Sequence, residues 1–187
     1  MNNYLIETEE YKGYTINVYY DEIADYNDCD HLGTFYTNVP RYLDPDGHEI
    51  DEILDENGKV ENAEYVYVIV YAYIHSGIAL STSRNKYPFT DPWDSGVGGI
   101  MAVSKEQVKK MYGHKIVTKK DRERTLDTLT AEVRELNAYC QGDVYGYVIH
   151  DENNNEIDSC WGYVGDIDYC LGEARKIIDS LVLSDAR

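Results

Sequence analysis

"YVYVIVYAYI", residues 65–74, decides the fold. Alternate positions place Tyr65, Tyr67, Ile69, Tyr71 and Tyr73 on one side and Val66, Val68, Val70, Ala72 and Ile74 on the other. Apolar and aromatic side chains on both sides of a β-branched run require cover on both faces. This is therefore a central strand with a helix packed on one side.

Other strands follow from alternation or turn chemistry: "YTINVYY" (14–20), "LGTFYTN" (32–38), "GIALS" (77–81), "GGIMAV" (98–103), "DVYGYVI" (143–149) and "EIDSCWG" (156–162). The last two flank "HDENNN", a hairpin signal. Ser104 and Gln107 form a capping box for "KEQVKKMY", with Gly113 placed to end that helix. Thr118 opens a longer helix with Leu126, Leu129, Val133 and Leu136 as its apolar stripe and Lys119, Lys120, Arg122 and Arg124 solvated. A third helix over 168–183 is expected to bury Ala174, Ile177, Ile178 and Leu181. The expected class is α+β, a single domain over 1–187 whose mainly antiparallel sheet carries about three helices. Residues 43–64 have two turn signals and little core, and read as an acidic excursion or hairpin.

Residues 1–25 contain Glu7, Glu9 and Glu10 and no long apolar run, which predicts no signal peptide. No stretch approaches the ~18 apolar residues of a membrane span. Cys29, Cys140, Cys160 and Cys170 show no close pairing, so free thiols in a reducing cytoplasm are expected, with no disulfide, metal site or cofactor.

The formal net charge of −18 is unevenly spread. Residues 1–64 hold 17 acids and 3 bases, whereas residues 105–124 hold 8 bases and 3 acids. A negative body repels phosphate backbones and is steered toward the basic clefts that hold them. Direct nucleic-acid binding through the 105–124 band is disfavoured, because the rest of the chain carries −23. Nineteen tyrosines stand against two phenylalanines and two tryptophans, and twelve of them precede residue 76. Tyrosine packs a ring and keeps a hydroxyl for a wet edge, so it serves a half-exposed strand face or a recognition surface equally.

Three constellations offer chemistry. "DPDGHEIDE" (44–52) suggests calcium, but an EF-hand needs glycine at its sixth position. From Asp44 the glycine comes fourth and from Asp46 second, so a D-G turn is the better reading. Cys160 in "DSCWG" echoes a thiol-protease motif, yet it closes a strand and no histidine follows it. A buried thiol beside Trp161 is expected there. His75 in "HSG" and Asp94 in "PWDSG" lie at strand ends with serines nearby, the raw material of a Ser/His/Asp site. The stretch around Trp93 reads first as a structural corner, with Asp94 and Ser95 bonding the turn and Trp93 plugging the core. "SGVGG" (95–99) lacks the order of a phosphate-binding loop, and its glycines are expected to permit tight backbone geometry.

The order of "YKGYTINVYYDE" (11–22), "HLGTFYTNVPRY" (31–42), "YIHSGIALST" (73–82), "DPWDSGVGGIMAVSKEQVKKMYG" (91–113) and "GDVYGYVIHDENNNEIDSCWGYVG" (142–165) resembles a family of small bacteriophage and mobile-element proteins. The resemblance covers most of the chain and brings no reaction, cofactor or catalytic residue. It implies a phage accessory protein in the host cytoplasm. The insert at 43–64 departs from that family's shorter forms.

The leading expectation is an anti-defence protein, similar in role to anti-CRISPR or antirestriction proteins, that occupies the basic nucleic-acid cleft of a host defence protein without meeting a membrane. Asp44, Asp46, Glu49, Asp51, Glu52, Asp55 and Glu56 would stand in for phosphates. The alternatives are a small hydrolase or transferase using His75, Asp94 and Cys160, and an accessory protein with a structural role.

Overall fold

The computed structural model describes residues 4–22, 24, 26, 30–37, 48–60 and 63–185. Asp44, Asp46 and the D-G turn between 44 and 52 lie outside the described residues, as does Cys29. The elements run β1 (Leu5–Tyr11), β2 (Tyr14–Tyr20), β3 (Thr34–Thr37), a 3-10 helix (Ile50–Ile53), β4 (Tyr65–Ile74) and β5 (Ile78–Ser81). Then follow β6 (Ser95–Ser104), α1 (Lys105–Tyr112), α2 (Lys119–Gln141), β7 (Val144–His150), β8 (Glu156–Val164) and α3 (Ile167–Asp185). The fold class is α+β, with the described strands in two antiparallel sheets. The chain groups into two compact units, residues 26–141 and residues 1–25 with 142–187.

In the unit made from both ends of the chain, the strand order is β1-β2-β7-β8. Strand β1 is not evident from alternation, because its "LIETEEY" is an edge strand with Glu7 and Glu10 exposed and Glu9 half-buried in its bond to Arg175. Lys12 and Gly13, both at positive φ, turn it into β2. Ile16, Val18, Tyr147 and Ile149 of the middle strands meet Cys170, Leu171, Ala174 and Ile178 of α3. The buried stripe of α3 therefore starts a turn earlier than its apolar spacing suggests, and Ile177 is partly exposed. Arg175 donates to both carboxylate oxygens of Glu9, and Tyr11 and Lys12 donate to Asp179 at 3.1 and 2.7 Å, bolting the edge hairpin to the helix.

The contiguous unit has the order β3-β6-β4-β5. As expected, Tyr65–Ile74 is interior to its sheet and covered by a helix on one face. Val66, Val70, Ala72, Met101 and Val103 pack on Val108 of α1 and on Leu129, Val133 and Leu136 of α2. The Ser104–Gln107 box caps α1, and Gly113 ends it at φ 68°. Two polar groups of α2 tie down neighbouring backbone: buried Glu132 accepts from the amides of Leu32 and Gly33, just before β3, at 2.6 and 2.9 Å, and half-buried Asn137 accepts from Leu80 of β5 at 2.6 Å. Close approach explains Gly99 of β6, where a Cβ would strike Phe35 and the Tyr36 carbonyl, whereas a Cβ on Gly96 would meet nothing within 4 Å. At the start of α2, Asp121 is buried and contacts His114 Nδ1 at 2.7 Å. Burial alone would raise its carboxyl, but the bonds from His114 and Thr118 outweigh it and hold it at about 2.

Candidate functional site

The side of the β3-β6-β4-β5 sheet away from α2 carries the tyrosines of β4, and its two ends are built differently. At one end sits the excursion. Backbone bonding joins Thr37 to His48, with the Thr37 amide donating to the His48 carbonyl at 3.1 Å. The chain then makes its 3-10 turn under a Glu49–Glu52 capping box. Ile53 and Val60 are buried here, with Ile50 and Leu54 beside them, against Ile100, Ala102, Tyr36, Tyr65 and Tyr67. Against the expectation of little core, the excursion is thus anchored by an apolar plug of its own, a signal present in the I-x-x-I-L spacing of 50–54.

That plug turns the acids outward. Glu49, Asp51, Glu52, Asp55 and Glu56 are exposed. Asp55 also holds its own turn, its Oδ1 accepting from the amides of Lys59 and Asn57 at 2.9 and 2.8 Å, and these bonds set its carboxyl below the usual aspartate range. His48 Nδ1 lies 3.6 Å from Glu52. Asp44 and Asp46, expected to join this set, lie outside the described residues.

At the other end the face is partly open, with Ile69 and Val97 exposed and Tyr71 and Tyr73 half-buried. The register pairs Tyr71 with Val97 and Tyr73 with Ser95, so the strip of Ile69, Tyr71, Tyr73 and Val97 continues the face that the plug covers further along. Val97 is 55% exposed, and Tyr87, whose ring centre lies 6.2 Å from that of Tyr73, is 75% exposed. Trp93 is 90% exposed. It does not plug the core, as its place in a corner suggested. The corner itself is real and closes without it. Asp91 Oδ1 accepts from the amides of Asp94 and Trp93 at 2.9 and 2.8 Å, which keeps its carboxyl low. Ser95 donates to the carbonyls of Phe89, at 3.1 Å, and Asp91. With the backbone bonds made by Asp91 and Ser95, the indole is left for solvent. The run of Pro and Asp around Trp93 was the available signal, because such loops lie on the surface.

Asp94 turns its carboxylate to His75, Oδ2 to Nδ1 at 3.0 Å. The His75 ring lies by that of Tyr73, centres 6.3 Å apart. Histidine and carboxylate are thus brought together as the sequence allowed, but the nearby Ser95 hydroxyl is committed to backbone carbonyls. Cys160 belongs to the other unit. It is exposed rather than buried, because β8 is an edge strand outside the β2–β7 centre on which α3 rests. Trp161 instead lies over Gly146, where a Cβ would meet the indole.

Among the described residues no group of three or more His, Cys, Asp or Glu is placed to hold a metal ion, and no helix is long and apolar enough to cross a membrane. Comparison with known protein families, curated proteins and solved structures found no match.

Proposed function

We propose that the protein is a phage-encoded anti-defence protein that works by stoichiometric binding, laying its tyrosine-strand face into the basic nucleic-acid channel of a host defence complex. One observation carries the reading: on a single sheet face, anchored outward carboxylates lie at one end and the half-buried Tyr71 and Tyr73 with exposed Ile69 and Val97 at the other, and the exposed Trp93 stands in the loop that leads into β6. Fixed carboxylates draw a cationic cleft as phosphates would. Exposed Trp and Tyr rings stack on guanidinium groups and fill pockets, the usual composition of binding hot spots. The net charge of −18 supports a basic partner, and the phage resemblance supports the setting.

The His75–Asp94 contact favours a second reading, a small hydrolase or transferase in which Asp94 orients the imidazole as a general base. The two are separated by one pair of measurements. Immobilised protein is expected to retain a nucleic-acid-binding complex from host lysate, and added nucleic acid to displace it. A retained complex that holds nucleic acid and the protein together refutes channel occupancy. Ester or thioester turnover by the protein alone, lost in His75→Ala, puts the enzyme reading in its place.

A further inference from the structure

A second surface of the contiguous unit has the opposite chemistry. Between α1 and the start of α2 lies an open cleft of about 470 Å³ lined by Lys105, Lys109, Lys115, Lys119 and Arg122. Ala63, Ile116 and Val117 complete the lining with Thr118, and among the described residues no carboxylate lines the cleft. Ile116 is 71% exposed, an apolar shelf beside five cations. We propose that this cleft is a binding site for a small phosphorylated organic molecule, its phosphates among the lysines and Arg122 and its apolar part on Ile116 and Val117.

The acids of this basic band do not cancel the cleft. Asp121 is buried and bonded to His114 and Thr118, while Glu106 and Glu123 make exposed pairs with Lys109 and Lys119 at 3.6 and 3.7 Å. Among the described residues Lys115 and Arg122 have no carboxylate partner. The helix start is already satisfied by the reciprocal Thr118–Asp121 bonds, so the site rests on side chains rather than on free helix amides. Lys115 and Arg122 share one concavity with three further cations, two of them held only in exposed pairs, so an added anion gains from all of these charges.

Size and range decide the class of anion. The volume falls within the ~300–1,000 Å³ of small-molecule sites. A long polyanion would also meet the acidic remainder of the surface, whereas a compact one senses mainly charges within a Debye length of about 8 Å. Arg122 supplies planar, bidentate recognition of phosphate and the lysines supply point charges.

The test is calorimetric titration of the whole chain with ADP, pyrophosphate and a single-stranded oligonucleotide. ADP is expected to bind saturably and more tightly than pyrophosphate, because the ring adds contact with Ile116. Lys115→Gln with Arg122→Gln should weaken ADP by about tenfold or more through lost charge-assisted bonds. Lys12→Gln, in the other unit, should leave it unchanged. Should the double variant melt lower than the parent, Lys109→Gln with Lys119→Gln is read instead, with the same loss expected. The proposal is overturned by absence of saturable ADP binding at millimolar concentration, by ADP affinity indifferent to both pairs of substitutions, or by an oligonucleotide that binds more tightly and displaces ADP.

Discussion

Asp91 grips the backbone amide of Trp93 at 2.8 Å while the indole it carries stands free in solvent. The carboxylate fixes the backbone that carries the ring without burying the ring, so the loop's own ordering precedes the arrival of a partner while the indole stays available for contact. Trp93→Ala should therefore leave the unfolding free energy within about 0.5 kcal/mol of the parent, as for other surface changes. Affinity for the captured complex should fall by about 2 kcal/mol or more, seen chiefly as faster dissociation in surface kinetics. A clear drop in melting temperature with binding intact would return Trp93 to a structural role.

The acids of the excursion divide into two kinds. Changing Asp51→Asn and Glu56→Gln, together with Asp44→Asn and Asp46→Asn, should slow association and flatten its salt dependence while leaving thermal stability unchanged. Asp55→Ala should lower the melting temperature, because two backbone amides of the 55–59 turn lose their acceptor. Association rates at two salt concentrations, with melting curves of each variant, check both expectations.

Thiol chemistry separates the described cysteines. Cys160 is exposed on an edge strand, whereas burial pushes the thiols of Cys140 and Cys170 up to about 11 and about 12. Brief iodoacetamide treatment of the native protein near neutral pH should label Cys160 well before either of the others, as read by peptide mass spectrometry. Labelling of Cys170 at a comparable rate would mean that α3 opens readily from its sheet.

Asp121 makes stability depend on acid. Its folded carboxyl sits at about 2, below the ordinary aspartate value of 3.8. Its stabilising contribution is therefore complete above about pH 4 and is lost as pH falls toward about 2. Asp121→Asn should be less stable near neutrality and should lose less of its remaining stability across that window, which urea melts at several pH values would show.

What the sequence made legible was what periodicity and capping report. The central strand 65–74, the Ser104–Gln107 box and the Leu129, Val133 and Leu136 stripe all depend on neighbours close along the chain. Strand β1 escaped because an edge strand is free to alternate carboxylates with half-buried residues. Trp93 and Cys160 were misplaced for a related reason: both look apolar in the sequence, and whether an apolar side chain is covered depends on which elements end beside it. The pairing of His75 with Asp94 could be suspected from strand ends, but only the return of residue 94 beside Ile74 makes it a contact.

The pairing of Ile16 with Ile149 has a consequence for synthesis. Residues 26–141 form a continuous stretch whose sheet can close while the ribosome is still at work. The β1–β2 hairpin, made before that stretch, must wait for β7 and α3, made after it. Until then Ile16 and Val18 lack their cover and β2 offers an open edge, a state in which a nascent chain invites mispairing. Glu7, Glu9 and Glu10, on the strand that flanks this edge, place like charge on every waiting copy. The early acids thus act as gatekeepers for an unfinished sheet, and their removal should appear first as loss of soluble yield.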